Sequence, residues 1–236
     1  MKIIEWNCNM AFRKKNAEIL KLNPDILIVP ECENEKRLQF GKLTPVPNDF
    51  LWFGDNENKG LGVFSYSDYK FTMINYSSKF KYVIPIDVKG DNNFTLFAVW
   101  AMDNKDKWSE RYIAQVWLGI NHFSDLLNDS SLLIGDFNSN QIWDSFSRIA
   151  NHTDVVNYLI SKNIHSLYHR QYLDKQGKET QPTLYMYRKK DKPYHIDYCF
   201  ASEELLYNGY DFSIGKYIDW MTLSDHVPII VDFKWQ

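Results

Sequence analysis

Short runs of apolar and β-branched residues recur along the whole chain and constrain its fold more than any other feature of the sequence. Each run has the length of a typical strand and is shorter than most helices. Several runs are apolar almost throughout, which is typical of strands covered on both faces. The predicted strands are 2–7, 25–30, 61–66, 81–88, 94–100, 131–137, 183–188, 194–201, 210–217 and 226–233.

Three other segments, 11–22, 109–127 and 152–160, repeat apolar residues at helical intervals. Strands interleaved with a few helices predict an α/β (or α+β) sandwich, with mixed β-sheet in the centre and helices outside, rather than a barrel or a bundle. The 236 residues suffice for one sizeable core. We therefore expect a single domain over residues 1–236.

Composition narrows the cellular setting but not the partner. A formal net charge of -3 neither selects nor excludes a polyanionic ligand. Three cysteines without metal-site spacing indicate reduced thiols, and the sequence shows no signal-like or membrane-spanning segment. We expect a cytoplasmic protein that is not bound to a membrane, and nothing in the sequence indicates an obligate protein partner.

Polar residues follow or interrupt the predicted strands at regular places. Taken alone, each has an ordinary structural explanation, such as a turn residue, a solvated acid or a hydrogen-bonded core histidine. Their order along the chain is more informative than any one of them. The residues are Asn7, Glu31, Asp136, Asn138, Asp197, Asp225 and His226.

The sequence resembles the endonuclease/exonuclease/phosphatase superfamily from "EWNCN" to "SDHVPIIV". The resemblance is carried by an Asn after the first strand, a Glu after the second, the "GDFN" element, "IDY" and the terminal "SDH", all in the family's order. It implies the DNase I-like fold, a four-layer sandwich of two central mixed β-sheets flanked by helices. It also implies a Mg²⁺-dependent phosphodiester hydrolase.

The resemblance assigns catalytic roles that the chemistry makes reasonable. Phosphodiester hydrolysis requires a positioned water, neutralised charge on the phosphoryl oxygens and help for the departing oxygen. Asp136 would orient the attacking water or accept its proton, while Asn138 and Asn7 would donate hydrogen bonds to phosphate oxygens. His226 would contact the phosphate or move a proton, with Asp197 orienting its ring.

A metal site is expected at Glu31, with Asp225 as a second contact. Carboxylate oxygens are the ligands that Mg²⁺ prefers, usually together with water and substrate phosphate, and Mn²⁺ is the alternative ion. Glu33 is a rival ligand, but the register of "IVPE" against the family pattern favours Glu31.

Substrate contacts are expected from Arg111 and from a basic turn that contains Lys189 and Lys190. Arg111 matches an Arg-x-x-x-Gln pattern of the family's central helix, and the turn lies a few residues before Asp197. With Trp108 and Trp143 as candidates for stacking on bases, these residues indicate a nucleic-acid substrate. The first hypothesis is a DNA endonuclease, with DNA expected as the partner before RNA.

One departure from the family pattern keeps alternatives open. Where many members carry a His or a Tyr, this chain has Trp100, whose indole cannot act as an acid or base. Asn104, Arg111, Tyr112 or metal-bound water would then have to assist the leaving group. The alternatives are a phosphatase or phosphodiesterase for a small phosphoester such as a nucleotide or an inositol phosphate, and a catalytically silent binding domain.

Overall fold

Two mixed β-sheets packed face to face form the centre of the molecule. The computed structural model describes residues 1–74, 80, 82–146 and 149–235. The first residue of the predicted strand 81–88 therefore lies outside the described residues. The strands are β1 (Lys2–Glu5), β2 (Ile26–Cys32), β3 (Asp49–Asn56), β4 (Lys59–Ser65), β5 (Lys70–Met73), β6 (Val83–Lys89), β7 (Phe94–Trp100), β8 (Ser131–Asp136), β9 (Ile164–Ser166), β10 (Leu184–Tyr185), β11 (Pro193–Tyr194), β12 (Asp197–Ser202), β13 (Tyr210–Ile214) and β14 (Ile229–Phe233).

Each large sheet carries a parallel pair near its middle and antiparallel strands around it. Within the described residues the first sheet has the order β13-β14-β1-β2-β4-β3, and the second has the order β5-β6-β7-β8-β12-β9. The parallel pairs are β1 with β2 and β7 with β8. This arrangement confirms the predicted pair of mixed sheets.

Three apolar cores separate four layers. The inner faces of the two sheets pack on each other around residues such as Ile28, Leu96 and Val231. Helices cover the outer faces, with Phe12 and Ile19 packed on the first sheet and Val116 and Leu159 among those on the second. The predicted four-layer sandwich is therefore confirmed.

Two of the three predicted helices are shorter than expected, and the third, 152–160, is confirmed. The helices are α1 (Asn16–Leu20), α2 (Glu35–Leu38), α3 (Ile113–His122), α4 (His152–Ser161), α5 (Leu167–Tyr172) and α6 (Tyr217–Trp220). The predicted helix 11–22 is divided into a short 3₁₀ turn and α1, because Lys15 leaves the helical conformation between them. The predicted helix 109–127 begins only at Ile113, since Tyr112 has a positive φ of 53°.

Several strand predictions also need correction. Strands β3, β5 and β9 were not predicted, and in the predicted strand 183–188 only Leu184–Tyr185 is extended. Tyr187 and Arg188 have positive φ and end that strand.

All three cysteines are buried and free. Across the described ranges, no helix combines the length and apolar character needed to span a bilayer.

Candidate active site

Polar side chains from both sheets meet at one end of the cleft between them. The parallel partners β7 and β8 end together, with Trp100 opposite Asp136. β12 runs antiparallel to β8, and its first residue, Asp197, is also opposite Asp136. In the first sheet, Asn7 follows β1 and Glu31 lies near the end of β2. Strand polarity thus places residues that are distant in sequence at a single edge.

Asp136 accepts hydrogen bonds from two other polar residues at this edge. It is fully buried, and its Oδ2 accepts hydrogen bonds from Nδ2 of Asn7 at 3.0 Å and Nδ2 of Asn138 at 2.9 Å. Its Oδ1 accepts a bond from the backbone N–H of Asn138 at 2.8 Å. Asn138 has a positive φ of 45°, which turns the chain back so that one residue binds both carboxylate oxygens. The structure therefore brings together three of the predicted catalytic residues.

Gly135 explains why the "GDFN" element needs a glycine before Asp136. A Cβ atom at this position would lie 1.9 Å from the backbone oxygen of Val99 on β7. Only a residue without a side chain allows β7 and β8 to approach so closely at the end that carries Asp136.

Asp197 and His226 form a buried pair beside Asp136. Nδ1 of His226 lies 2.9 Å from Oδ2 of Asp197, and the Asp197 side chain is fully buried. Burial lowers the pKa of His226, but Asp197, through its charge and hydrogen bond, and Asp136 outweigh burial and raise it to about 10. The Thr183 hydroxyl accepts hydrogen bonds from the backbone N–H groups of Ile196 and Asp197 at 3.0 Å each. These bonds hold the backbone at Asp197 in place. His226 is therefore a charged imidazolium at neutral pH.

The "SDH" element ties the two ends of the described chain together. The Ser224 hydroxyl donates to the backbone oxygen of Asn7 at 2.7 Å and accepts the backbone N–H of His226 at 3.1 Å. Asp225 accepts a hydrogen bond from Nδ2 of Asn9 at 2.8 Å. These contacts hold the end of β1 against the segment that leads into β14.

Glu5 is a buried acid that the sequence reasoning missed. It lies on the same side of β1 as Ile3 of the inner core and Asn7, as the two-residue period of a strand requires. Among the described residues, neither of its carboxyl oxygens has a hydrogen-bond partner. Burial, with the charges of Asp197 and Asp136, holds the pKa of Glu5 well above its usual range. The alternation in "KIIEWN" was the signal that could have found it.

The same crowding of acids acts on Asp136. Burial raises its pKa, the charge of Asp197 raises it further, and the opposing charge of His226 and the hydrogen bond from Asn7 leave it at about 7. Asp136 can therefore exchange a proton near neutral pH, as a general base requires.

Glu31 is the best-placed metal ligand on chemical grounds. Its carboxylate is partly open to solvent, and Oε1 lies 3.3 Å from the ammonium nitrogen of Lys59, so the position already attracts a cation. Glu33, the rival ligand, is buried and paired with Arg13, which leaves it less suited to bind a metal. Carboxylate oxygens such as those of Glu31 fit a hard divalent ion such as Mg²⁺.

Another group of side chains has metal-ligand spacing. Asp136, Asp197 and His226 each offer one donor atom, and these atoms lie within 4.8 Å of one another. Nδ1 of His226 is bonded to Asp197, so Nε2 is the ring nitrogen that remains for a ligand, whether a metal ion or a phosphate oxygen. In the part of the chain that the structure describes, Glu31 and Asp225 do not belong to a comparable cluster of three.

Trp100 closes the other side of the cleft. Its side chain is buried, its ring packs on Tyr82 with centroids 4.8 Å apart, and the Lys59 ammonium lies 5.2 Å from the ring centroid. Lys59 was not among the predicted site residues. Nothing in the local sequence pattern distinguishes it from a solvated hairpin lysine, because its partners come from β2 and β7.

Arg111 lies outside the catalytic cluster. It precedes α3 instead of lying within it, and its guanidinium packs 4.3 Å from the centroid of Trp108 and 4.0 Å from Asp103. This loop borders a cavity of about 510 Å³, whose walls include Tyr82, Met102 and Gln115. Trp108 is half exposed beside the cavity.

The basic turn is exposed on the Asp197 side of the site. Lys189 and Lys190 are solvent-accessible, and the turn is attached to the cluster through a bridge between Leu184 and His226. Tyr187 at its tip is 73% exposed and has the Lys192 ammonium 5.3 Å from its ring centroid. Trp143, the other predicted stacking residue, instead packs on Tyr194 with centroids 5.1 Å apart.

Known proteins share this architecture. A model of the Endonuclease/Exonuclease/phosphatase family matches residues 4–226. No curated protein sequence matches the chain. Similar solved structures include a 3'-5' exonuclease (NExo) from Neisseria meningitidis, with 18% identity, a TM-score of 0.64 and full coverage of both chains.

Two further structures resemble the chain at comparable levels. An AP endonuclease from Archaeoglobus fulgidus shares 17% identity at a TM-score of 0.65 and covers both chains fully. The endonuclease domain of TRAS1, a telomere-specific non-LTR retrotransposon, shares 16% identity at a TM-score of 0.63, with 98% of this chain and 97% of that chain covered. At these identities the likeness shows the fold.

Proposed function

Because the chain belongs to the endonuclease/exonuclease/phosphatase family, we propose that it is a Mg²⁺-dependent phosphodiesterase that cleaves DNA as an endonuclease. One observation carries this proposal. Asp136, with Asn7 and Asn138 bonded to it, lies beside the charged Asp197–His226 pair at the end of a cleft. This set supplies a base, a neutral donor and a cation, which are the groups that phosphodiester hydrolysis requires.

Asp136 acts on the attacking water. Its pKa of about 7 allows the carboxylate to accept the water's proton, and its two amide partners hold it in one orientation. Asn138 uses both of its amide N–H groups, on Asp136 and on the backbone oxygen of Ala101, so it orients the base and does not donate to phosphate as predicted. Asn7 donates one N–H to Asp136 and keeps a second for a phosphate oxygen.

His226 stabilises the phosphoryl group. The imidazolium is fixed through Nδ1, which leaves Nε2–H as a donor for a phosphate oxygen. Asp197 keeps that charge in place, and because both side chains are buried, little solvent screens it.

Glu31 and Asp225 are the residues that would hold Mg²⁺ or Mn²⁺. Both offer carboxylate oxygens, and Asn9 already orients Asp225. When bound, the cation supplies charge neutralisation at the phosphoryl oxygens.

DNA is the favoured substrate because of the surface beside the cluster. Lys189 and Lys190 belong to an exposed basic turn that is joined to His226 through Leu184, and Tyr187 offers a ring for stacking. Relatives of the same fold described as an AP endonuclease, a 3'-5' exonuclease and a retrotransposon endonuclease support this choice.

A small phosphoester is the second candidate. The cavity of about 510 Å³ beside Tyr82 and Met102 has the volume of a nucleotide-sized pocket. Its wall carries acidic side chains, Asp103, Asp106 and Glu110 among them, beside the lysines Lys105 and Lys107.

The experiment is a plasmid-nicking assay. Supercoiled plasmid is incubated with the protein and Mg²⁺, with EDTA and the Asp136→Ala variant as controls. Nicked and linear products that vanish in both controls support the endonuclease. Intact plasmid together with phosphate or nucleotide release from a small-substrate panel supports the second candidate.

A further inference from the structure

Lys59 is placed across the cleft from His226. Asp197, Asp136 and Trp100 stand on neighbouring strands of the second sheet and face one another in register. His226 is bonded to Asp197 at one side, and Lys59 lies over Trp100 at the other. Asp136 therefore lies between two cations.

The position of Lys59 is fixed by both sheets. It extends from β4 in the first sheet, pairs with Glu31 of β2 at 3.3 Å, and lies 5.2 Å from the ring centroid of Trp100 on β7. Its side chain is 36% exposed, so the ammonium lies at the opening of the cleft, where a ligand can reach it. A solvated surface lysine would not be held between two strands of different sheets.

We propose that Lys59 is a catalytic residue that contacts the leaving oxygen of the phosphodiester. This inference rests on the proposed function. In an in-line displacement the attacking and leaving oxygens lie on opposite sides of phosphorus. His226 flanks Asp136 on the β12 side, and Lys59 with Trp100 flanks it on the β7 side. We place the leaving oxygen on the β7 side, away from the imidazolium that binds the phosphoryl oxygens. The indole of Trp100 supplies no acid or base, and among the described residues Lys59 is the one whose ammonium lies over this ring.

Atoms and charge balance in this step. The water oxygen forms a new bond to phosphorus, and its proton passes to Asp136. The bond from phosphorus to the leaving oxygen breaks, and the electron pair stays on that oxygen. Lys59 stabilises the resulting negative charge through an N–H hydrogen bond, and the oxygen then takes a proton from solvent.

The test compares two leaving groups on the same DNA. A duplex oligonucleotide carries a single scissile linkage with either its natural leaving oxygen or sulfur in that position, the leaving side having been mapped from the ends of the wild-type product. A thiolate departs readily without a cation, whereas an alkoxide needs stabilisation. We expect Lys59→Gln to slow cleavage of the oxygen linkage about 10²–10³-fold, and that of the sulfur linkage less than about tenfold.

Two variants control for the fold and for charge. Lys59→Arg retains the cation and should recover a large part of the oxygen-linkage rate. Lys162→Gln removes another lysine that lies over a ring, 5.9 Å from the centroid of Tyr158 on an outer helix, and should leave both rates unchanged. Thermal melting and circular dichroism establish that Lys59→Gln is folded, and binding of the same duplex in EDTA measures its ground-state affinity.

The outcomes separate this inference from the proposal beneath it. Equal slowing of both linkages, or a loss explained by weaker binding in EDTA alone, overturns a leaving-group role for Lys59. If the wild-type protein cleaves neither duplex, the proposed DNA endonuclease has failed before Lys59 is tested. A selective loss at the oxygen linkage with rescue by Lys59→Arg supports both.

Discussion

Nδ1 of His226 lies 2.9 Å from Oδ2 of Asp197, in a pair almost completely removed from solvent. This contact determines the charge of the imidazole, because burial alone would favour its neutral form. Breaking a buried pair leaves one partner without compensation, so the contact is important for stability as well as for chemistry.

Asp197→Asn should therefore lower the pKa of His226 from about 10 toward its ordinary value or below it. A group whose folded pKa is raised contributes stability that is complete below its unfolded pKa, near 6.5, and is lost as the pH rises through about 10. We expect the variant to be less stable by about 3–5 kcal/mol at pH 6, with the difference shrinking toward pH 10. NMR titration of the imidazole and urea unfolding in EDTA measure both effects. An unchanged His226 titration would contradict the assignment.

Asp136→Asn should keep the shape of the site and remove its base. Cleavage should fall about 10²–10⁴-fold, while binding of DNA changes little. In the wild-type protein the acid limb of the kcat/KM profile should lie no higher than about pH 7, because the carboxylate must be ionised and a bound cation lowers its pKa further. Asp125→Asn, at an exposed acid after α3, is the matched control. A limb well above pH 7 would argue against Asp136 as the base.

Neutralising the basic turn should weaken DNA binding and leave the rate of the cleavage step unchanged. The double variant Lys189→Gln, Lys190→Gln should weaken DNA binding and reduce the slope of log K against log salt by about one for each phosphate that the turn no longer neutralises. The control pair Lys70→Gln, Lys89→Gln removes the same charge from facing positions on β5 and β6, at the opposite edge of the second sheet. Fluorescence anisotropy across a salt series gives the slopes. Equal effects in the two double variants would refute a specific role for the turn.

Gly135→Ala should disrupt the edge that carries Asp136. The new methyl group would collide with the backbone oxygen of Val99, so β7 and β8 would have to separate. We expect the free energy of unfolding to fall by more than about 2 kcal/mol, together with the loss of cleavage. Gly209→Ala is the comparison, because its methyl group meets no atom within 4 Å and only backbone strain remains. A stable, active Gly135→Ala protein would show that the close approach is dispensable.

The sequence predicted the central strands better than the edges. Strands such as β2 and β7 are apolar on both faces and stand out in the sequence. The edge strand β5 has one buried residue, Phe71, so its pattern is weak. Tyr112, with its positive φ, delays the start of α3 through tertiary packing that no propensity scale contains.

The residues of the candidate site also fall into two groups, those that the sequence predicted and those that it did not. Asp136, Asn138, Asp197 and His226 were predictable because they belong to motifs in a fixed order, whereas Lys59 matters only through its contacts with Glu31 and Trp100 from other strands. The spacing of residues along the chain does not reveal such contacts. The roles assigned to these residues, the single domain and the cytoplasmic location stay predictions.

The hydrogen bond from the Ser224 hydroxyl to the backbone oxygen of Asn7 joins residues 217 positions apart. Closing a contact of such long range costs loop-closure entropy, which slows the folding of a chain that depends on it. A chain that the ribosome has extended only to residue 223 contains Asp136 and Asp197 but neither Ser224 nor His226. A chain of that length would therefore hold Asp197 without its imidazole partner and Asn7 without the hydroxyl that binds its backbone oxygen.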